Sequence, residues 1–448
     1  MNFNAAIHMS KYLLLSLLLS LFLTCSVRAQ SYTWAEDIEP IISQNCTPCH
    51  KPGEAGPFNL ITYQDVAKRS KFVKEVVQSG YMPPWKADNN YVHFANDRSL
   101  STTEISKIVS WVDNGAPQGK PSKTAHTNTQ ALITGTSYHR KPDLTLQIAD
   151  SFQVIGGNVE QFVIFKMPFE LSDSFNIEAI EFVANNKSLV HHVNYAIHSV
   201  PDPAIDLYKS HKLINLTFDD RRKFDQYQPY RRTITYYGGW IPGARYEAYP
   251  QDFGWVLPKR GVILMTVHFS PVAVEEMFKG GVNLFFKKTP VKRPVKVVSF
   301  GSGGIGERQI DPIFYIKANE KQKFTLEVTN PSEDQSLLHV WPHMHLIGKS
   351  FKAYALTTAG DTIRLVNIPN WDFRWQEIYQ FRSPVKIPKG SVVRLECEYD
   401  NTADNPFNPN NPPKTIFSQG DMKTTDEMMT LMMIFTPYKP GDEKIKLD

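Results

Sequence analysis

The sequence predicts a multidomain protein, with a small all-α domain followed by two all-β domains. Three observations carry this. Apolar residues before about residue 120 recur at helical spacing, a polar stretch follows, and from about residue 142 short apolar or alternating runs are separated by turn residues. A chain of 448 residues is too long for one core. Hydrophobic residues at 42% and charged residues at 21% are ordinary for a globular chain. A formal charge of +4 gives no reason to expect a nucleic-acid partner.

Residues 1–29 read as a secretory signal. Lys11 precedes the apolar run Tyr12 to Thr24, and Val27-Arg28-Ala29 offers a small-residue cleavage site. Met9 is an alternative start. The run is too short to span a bilayer comfortably, and Thr24 before Cys25 is a poor match to a lipid-anchor site. The expectation is a periplasmic or secreted protein with no transmembrane span after cleavage. Residues 30–120 form the helical domain. Thr33 with Glu36 predicts a capping box opening a helix towards Ile42. Val66 to Val77 carries a second helical pattern. Ser101 with Glu104 predicts another box, ahead of the stripe Ile105, Ile108, Val109 and Val112, and Gly115 and Pro117 end that helix. Residues 121–141 read as a linker. Strands are predicted at Phe162 to Met167, Val262 to Phe269, Val282 to Phe286, Phe324 to Val328, Val392 to Cys397 and Met429 to Phe435. They divide into blocks 142–296 and 297–448, each a sandwich or barrel.

Cys46-Thr47-Pro48-Cys49-His50 is the c-type haem attachment pattern. Its two thiols bond the porphyrin vinyl groups, and His50 can reach the iron. No second cysteine pair exists to complete a zinc site, because only Cys25 and Cys397 remain. That count also rules out an internal disulfide framework. Met82, between Tyr81 and Pro83-Pro84-Trp85, is the candidate sixth ligand, and Met ligation raises the reduction potential. His93 is the competitor.

Two further histidine groups stand in the β region. His343 and His345 lie two residues apart, so on a strand they share a face and can grip one metal. Met428 adds a thioether about eighty residues later, a soft ligand that points to copper. Core filling by the run Met428, Met429, Met432 and Met433 is the other reading, and Met422 is a rival ligand. His191 and His192 are adjacent, so both reach one metal only at a bulge, bend or strand end. His268 lies inside an apolar strand and reads either as a core histidine or as a ligand.

These motifs resemble the copper type II, ascorbate-dependent monooxygenases, the family of the peptidylglycine and dopamine hydroxylating enzymes. The resemblance rests on His343-Met344-His345-Leu346-Ile347-Gly348-Lys349, Thr425-Asp426-Glu427-Met428, Leu189-Val190-His191-His192-Val193, Val267-His268-Phe269 and Gly239-Trp240-Ile241-Pro242-Gly243. It covers roughly residues 142 to 438. It implies two jelly-roll sandwiches, each holding one copper. His191, His192 and His268 would bind the electron-supplying copper, and His343, His345 and Met428 the oxygen-activating, catalytic one. The two would face each other across a solvent-filled cleft. One oxygen atom of O2 would enter a substrate C–H bond, with ascorbate as reductant. The N-terminal domain resembles bacterial cytochrome c modules in Cys46 to His50, Met82-Pro83-Pro84-Trp85 and Trp111-Val112-Asp113-Asn114-Gly115-Ala116-Pro117.

Departures from the family bear on the substrate. Trp341, Thr430 and Met432 stand where the peptide-hydroxylating members place Arg, Asn and Tyr, which argues against a peptidyl-glycine substrate. Met429 replaces a disulfide-bonded cysteine of the animal enzymes and leaves Cys397 as its orphaned partner. The reading is an exported haem–copper monooxygenase acting on a small organic substrate with O2. In it the covalently bound haem c relays electrons from a periplasmic donor protein to the first of two copper ions. A non-catalytic haem and copper electron-transfer or copper-binding protein is the alternative.

Overall fold

The computed structural model describes residues 32–120, 136–250, 252–329, 333–417 and 424–447. The signal segment, residues 121–135 of the linker and Met422 lie outside the described residues. Strand accounts for 38% of the chain and helix for 14%. No helix among the described residues is long and apolar enough to cross a membrane.

The N-terminal unit holds α1 (Glu39–Asn45), α2 (Tyr63–Ala67), α3 (Ser70–Gln78) and α4 (Thr102–Asp113). They close on a small core that includes Trp34, Ile38, Ile42, Val66, Val77, Ile108 and Trp111. Ser101 and Glu104 form the predicted capping box of α4. Thr33 and Glu36 do not form theirs. The turn Trp34–Ile38 is a π-helix, and Thr33 N–H donates instead to Asp37 Oδ2 at 3.0 Å. The cause is the returning chain, because Trp34 and Ala35 N–H donate to the Pro117 and Gln118 carbonyls. The Val66 to Val77 pattern is split between α2 and α3 at Lys68 and Arg69, and α2 carries a capping box from Thr62 and Asp65.

Six strands carry or flank the site. They are β1 (Gln161–Glu170), β2 (Val190–Ser199), β3 (Ile234–Trp240), β4 (Arg260–Phe269), β5 (Gln335–His343) and β6 (Thr430–Pro437). In the first block, β1, β4, β2 and β3 lie in that order within a five-stranded sheet, and every pair is antiparallel. A six-stranded sheet completes the block. The second block has a five-stranded sheet in which β6 pairs β5, and a four-stranded sheet. This arrangement of sheets is compatible with β-sandwich architecture. The inner residues alternate with outer ones, as in Leu395 and Cys397 against the half-exposed Arg394.

The end of the predicted linker belongs to the first block. Tyr138 packs on Phe285 at 4.4 Å, and Arg140 pairs with Asp143 and Glu178. The two blocks are pinned by a buried ion pair, Arg293 to Asp442, with both Nη–Oδ distances at 2.7 Å. They also touch at Gly239. A Cβ there would lie 2.5 Å from Trp341 Cη2 and 2.6 Å from the Val193 carbonyl, so only glycine admits this approach. The helical unit docks on both blocks. Phe94 bridges Phe381 in the second, while Lys187 N–H donates to the Gly53 carbonyl and its ammonium pairs with Glu54 in the first.

Candidate metal centre

His191, His192 and His268 meet at a bulge in the ladder between β2 and β4. His268 pairs with His192, but Phe269 pairs with Val190, so His191 is the extra residue. The bulge is what puts two adjacent side chains on one side of a strand. The ligand atoms of the three rings lie within 4.8 Å of one another. Among the described residues they are the one such group of three or more His, Cys, Asp or Glu. Nδ1 of His191 and Nδ1 of His192 are 3.0 Å apart. His268 is 1% exposed, stacks on Phe162 at 3.9 Å, and has no hydrogen-bond partner on either nitrogen. A buried donor–acceptor ring without a partner costs free energy, and a metal would supply the partner.

Burial, reinforced by the neighbouring His268, holds the His191 ring neutral and lowers its pKa to about 3. Burial with His268 and His191 pushes His192 well below the ordinary imidazole value. Neutral imidazole is the metal-binding form. Glu160 Oε1 sits 3.6 Å from His268 Nε2, and its other oxygen accepts from Thr424 Oγ1 at 2.9 Å. A carboxylate on the outer nitrogen of a histidine is the kind of partner that orients metal-ligating imidazoles. Nothing in the sequence around Glu160 distinguished it.

The second set is gathered at the end of β5. His343 pairs with Thr430 of β6, which brings the residues just before β6 beside the histidine pair. The His343 and His345 rings are 5.1 Å apart and nearly perpendicular. His345 Nδ1 lies 3.0 Å from the Asp426 carbonyl, which fixes the proton on Nδ1 and leaves Nε2 as the lone-pair nitrogen. Burial together with His345 lowers the His343 pKa to about 3. Met428 is half-buried, and its carbonyl accepts from the Tyr399 hydroxyl at 2.7 Å. Met429 and Met433 fill the core instead. Trp341 is buried against Gly239 and Tyr237.

Glu427 is the residue that assembles this set. Its carboxylate accepts from His345 N–H and Ile347 N–H, both at 2.8 Å, and from Met428 N–H at 3.2 Å. It is 1% exposed. Burial raises its pKa to about 8 despite these backbone donors. The sequence places Glu427 inside a motif, but its role comes from contacts eighty residues away.

In the helical unit, Cys46 and Cys49 are free thiols, with burial raising Cys46 to about 12 and Cys49 above its usual value. His50 Nδ1 lies 2.9 Å from the Phe58 carbonyl, so Nε2 carries the lone pair. Met82 lies in the loop after α3, its N–H donating to the Val76 carbonyl at 3.1 Å. His93 is exposed, next to the Phe94 that docks on the second block. A cavity of about 540 Å³ opens beside Cys49 where the three units meet, lined also by Arg98, Trp240, Glu247 and His339.

No known family model matches this chain, and no curated protein matches it. Among solved structures, the major capsid protein P2 from bacteriophage PM2 aligns at 8% identity over 67% of this chain and 99% of that one, with a TM-score of 0.23. Allantoicase aligns at 12% identity over 57% of this chain and 80% of that one, with a TM-score of 0.17. These likenesses are too slight to define a shared fold.

Proposed function

We propose that this protein is an exported haem–copper monooxygenase that hydroxylates a C–H bond of a small organic substrate. The overall reaction joins substrate, O2, two electrons and two protons, and yields the alcohol and water. The single observation that carries the reading is the cluster of His191, His192 and His268, whose ligand atoms lie within 4.8 Å, with His268 buried and neither of its nitrogens hydrogen-bonded. His191, His192 and His268 would hold one copper, and His343, His345 and Met428 the other. Copper at these two sets would supply one-electron redox chemistry and an open position for O2. The donor sets fit that assignment. In the second set the Asp426 carbonyl takes His345 Nδ1, and Met428 would add a soft thioether, a combination that suits Cu(I).

The chain's own groups prepare both sets. Glu160 faces the outer nitrogen of His268, and the Asp426 carbonyl holds that of His345. Glu427 ties the His345 turn to the Met428 segment. The apolar Trp341 near His343 favours a substrate of low polarity over one carrying a carboxylate. In the cytochrome c-like unit, covalent haem at Cys46 and Cys49 would take His50 as one axial ligand. Met82 is the other candidate, favoured over His93 because Phe94 holds the His93 segment on the second block. The contacts of Gly53 and Glu54 with Lys187 place the haem motif's loop against the short helix Lys187–Leu189, which runs straight into His191. That docking supports haem as the single-electron donor to the first set, fed by a periplasmic donor protein or by ascorbate.

Metal analysis of the haem-loaded protein tests the reading. Two coppers per haem are expected, falling to one in His343→Ala and to one in His268→Ala. One copper or none in the parent protein would favour an electron-transfer or copper-binding role instead. The relay is tested by reducing the copper through a donor protein in Met82→Ala and His50→Ala. Both variants should be slower, and unchanged rates would refute the relay.

A further inference from the structure

The cavity where the three units meet belongs to neither histidine set. It encloses about 540 Å³, the size of a small-molecule pocket, and it lies at a junction of units, where such pockets gather. None of His191, His192, His268, His343, His345 and Met428 lines it. Neither His50 nor Met82 does, so it is also apart from the candidate iron ligands. Part of its wall is apolar and aromatic. The buried rings of Phe182 and Trp240 meet there at 5.1 Å, beside the buried Ile180 and Tyr195. The Tyr195 hydroxyl is taken by the Gly239 carbonyl at 3.1 Å, and Trp240 Nε1 by the Ala244 carbonyl at 2.8 Å. These two side chains therefore offer ring surface to an occupant.

Glu247 lines the same cavity. Its Oε1 accepts from the Tyr249 hydroxyl at 2.5 Å, and its Oε2 has no hydrogen-bond partner. Among the described residues no Lys or Arg pairs with it. Its one ionic contact is His339, whose Nδ1 lies 3.5 Å from Oε1 and makes no hydrogen bond. Of the two arginines in the lining, Arg98 is paired with Glu377 and Arg245 is exposed. Burial first, and then the charge of Glu247, hold Tyr195, Tyr236 and Tyr249 well above the ordinary tyrosine range, so the groups packed around the carboxylate are neutral. A carboxylate taken out of water costs free energy unless a cation pairs with it. Aromatic faces add to the attraction for a cation placed over them.

We propose that this cavity binds a small organic amine in its protonated form, with Glu247 as the counter-charge and Phe182, Trp240 and Tyr195 around its apolar body. The site stands whether or not the histidine sets hold copper. An occupant touches all three units, since Cys49 comes from the helical unit, Glu247 from the first block and His339 from the second. Its binding therefore also stabilises their docking.

Isothermal titration calorimetry of the full-length protein at neutral pH provides the test. It compares benzylamine with benzyl alcohol, a neutral molecule of nearly the same shape. Benzylamine should bind saturably, one per chain, and at least about tenfold tighter than benzyl alcohol. Glu247→Gln keeps the size of the side chain and an acceptor for Tyr249, and it should abolish that preference. Ala244→Phe narrows the cavity and should remove most of the benzylamine binding. No saturable binding of benzylamine, or equal affinities for the two probes in the parent protein, would overturn the proposal. An undiminished preference in Glu247→Gln would overturn it as well, and so would undiminished binding in Ala244→Phe, which would put the amine elsewhere. The comparison of the two probes on the parent protein decides the matter even if a variant fails to fold.

Discussion

In the first β block three histidines are gathered by the ladder itself. His268 and His192 face each other across β4 and β2, and the bulge turns His191 to join them. In the second block the ladder brings two segments close but does not orient them. There a single buried carboxylate, Glu427, takes three backbone N–H groups from the His345 turn and the Met428 segment. One set is thus fixed by main-chain pairing between two central strands of a sheet, the other by one side chain beyond the end of β5. The first should tolerate loss of any neighbour better than the second. A ladder spreads its cohesion over many bonds, whereas a carboxylate clip concentrates it in one group.

The largest effect is expected at Glu427. Glu427→Ala leaves buried N–H groups of His345 and Ile347 unpaired, at about 1–3 kcal/mol each. Urea unfolding should report that loss, and copper titration should show one ion retained at the first set. Retention of two ions would mean that the strand end holds the second set without its clip. Next comes His198, on the same strand as His192 but outside the triad. Burial, with Arg231 adding to it, lowers its pKa to about 4. The folded state then binds fewer protons than the unfolded one between about pH 6.5 and pH 4. Its stability contribution is full above that range and is lost as pH falls through it. Unfolding free energies from urea titrations at pH 7 and pH 5 should differ by roughly 1–2 kcal/mol from this residue, and His198→Gln should remove that part. The smallest change is His268→Phe in metal-free protein. It keeps the stack on Phe162 and removes two unpartnered buried nitrogens. Thermal unfolding should show a gain of about 1 kcal/mol, while copper at the first set is lost. Destabilisation of the metal-free variant would mean that the ring's nitrogens have partners in solution.

The nearby glycine at 239 shows how much of this junction is backbone. Trp341 reaches its place only because no Cβ stands at Gly239. The same strand face then runs from His339, stacked on Tyr249, through Trp341 to His343. One strand therefore connects the cavity beside Cys49 to the second histidine set.

The sequence by itself determined what is local. Periodicity placed α4 with its Ser101 and Glu104 box, and the apolar run placed the long strand that carries His268. These patterns are legible because each element's faces repeat within a few residues. The histidine order and the Met428 segment were legible for the same reason, as short motifs of fixed spacing. Only the tertiary structure decided the rest. The Thr33 box gave way to backbone partners from Pro117 and Gln118, the bulge at His191 followed from the register of β4, and Glu160 and Glu427 gained their roles from residues far along the chain. A carboxylate looks the same in sequence whether it faces water or a histidine. What distinguishes the two is the register and packing of strands up to two hundred residues apart, which no local pattern encodes.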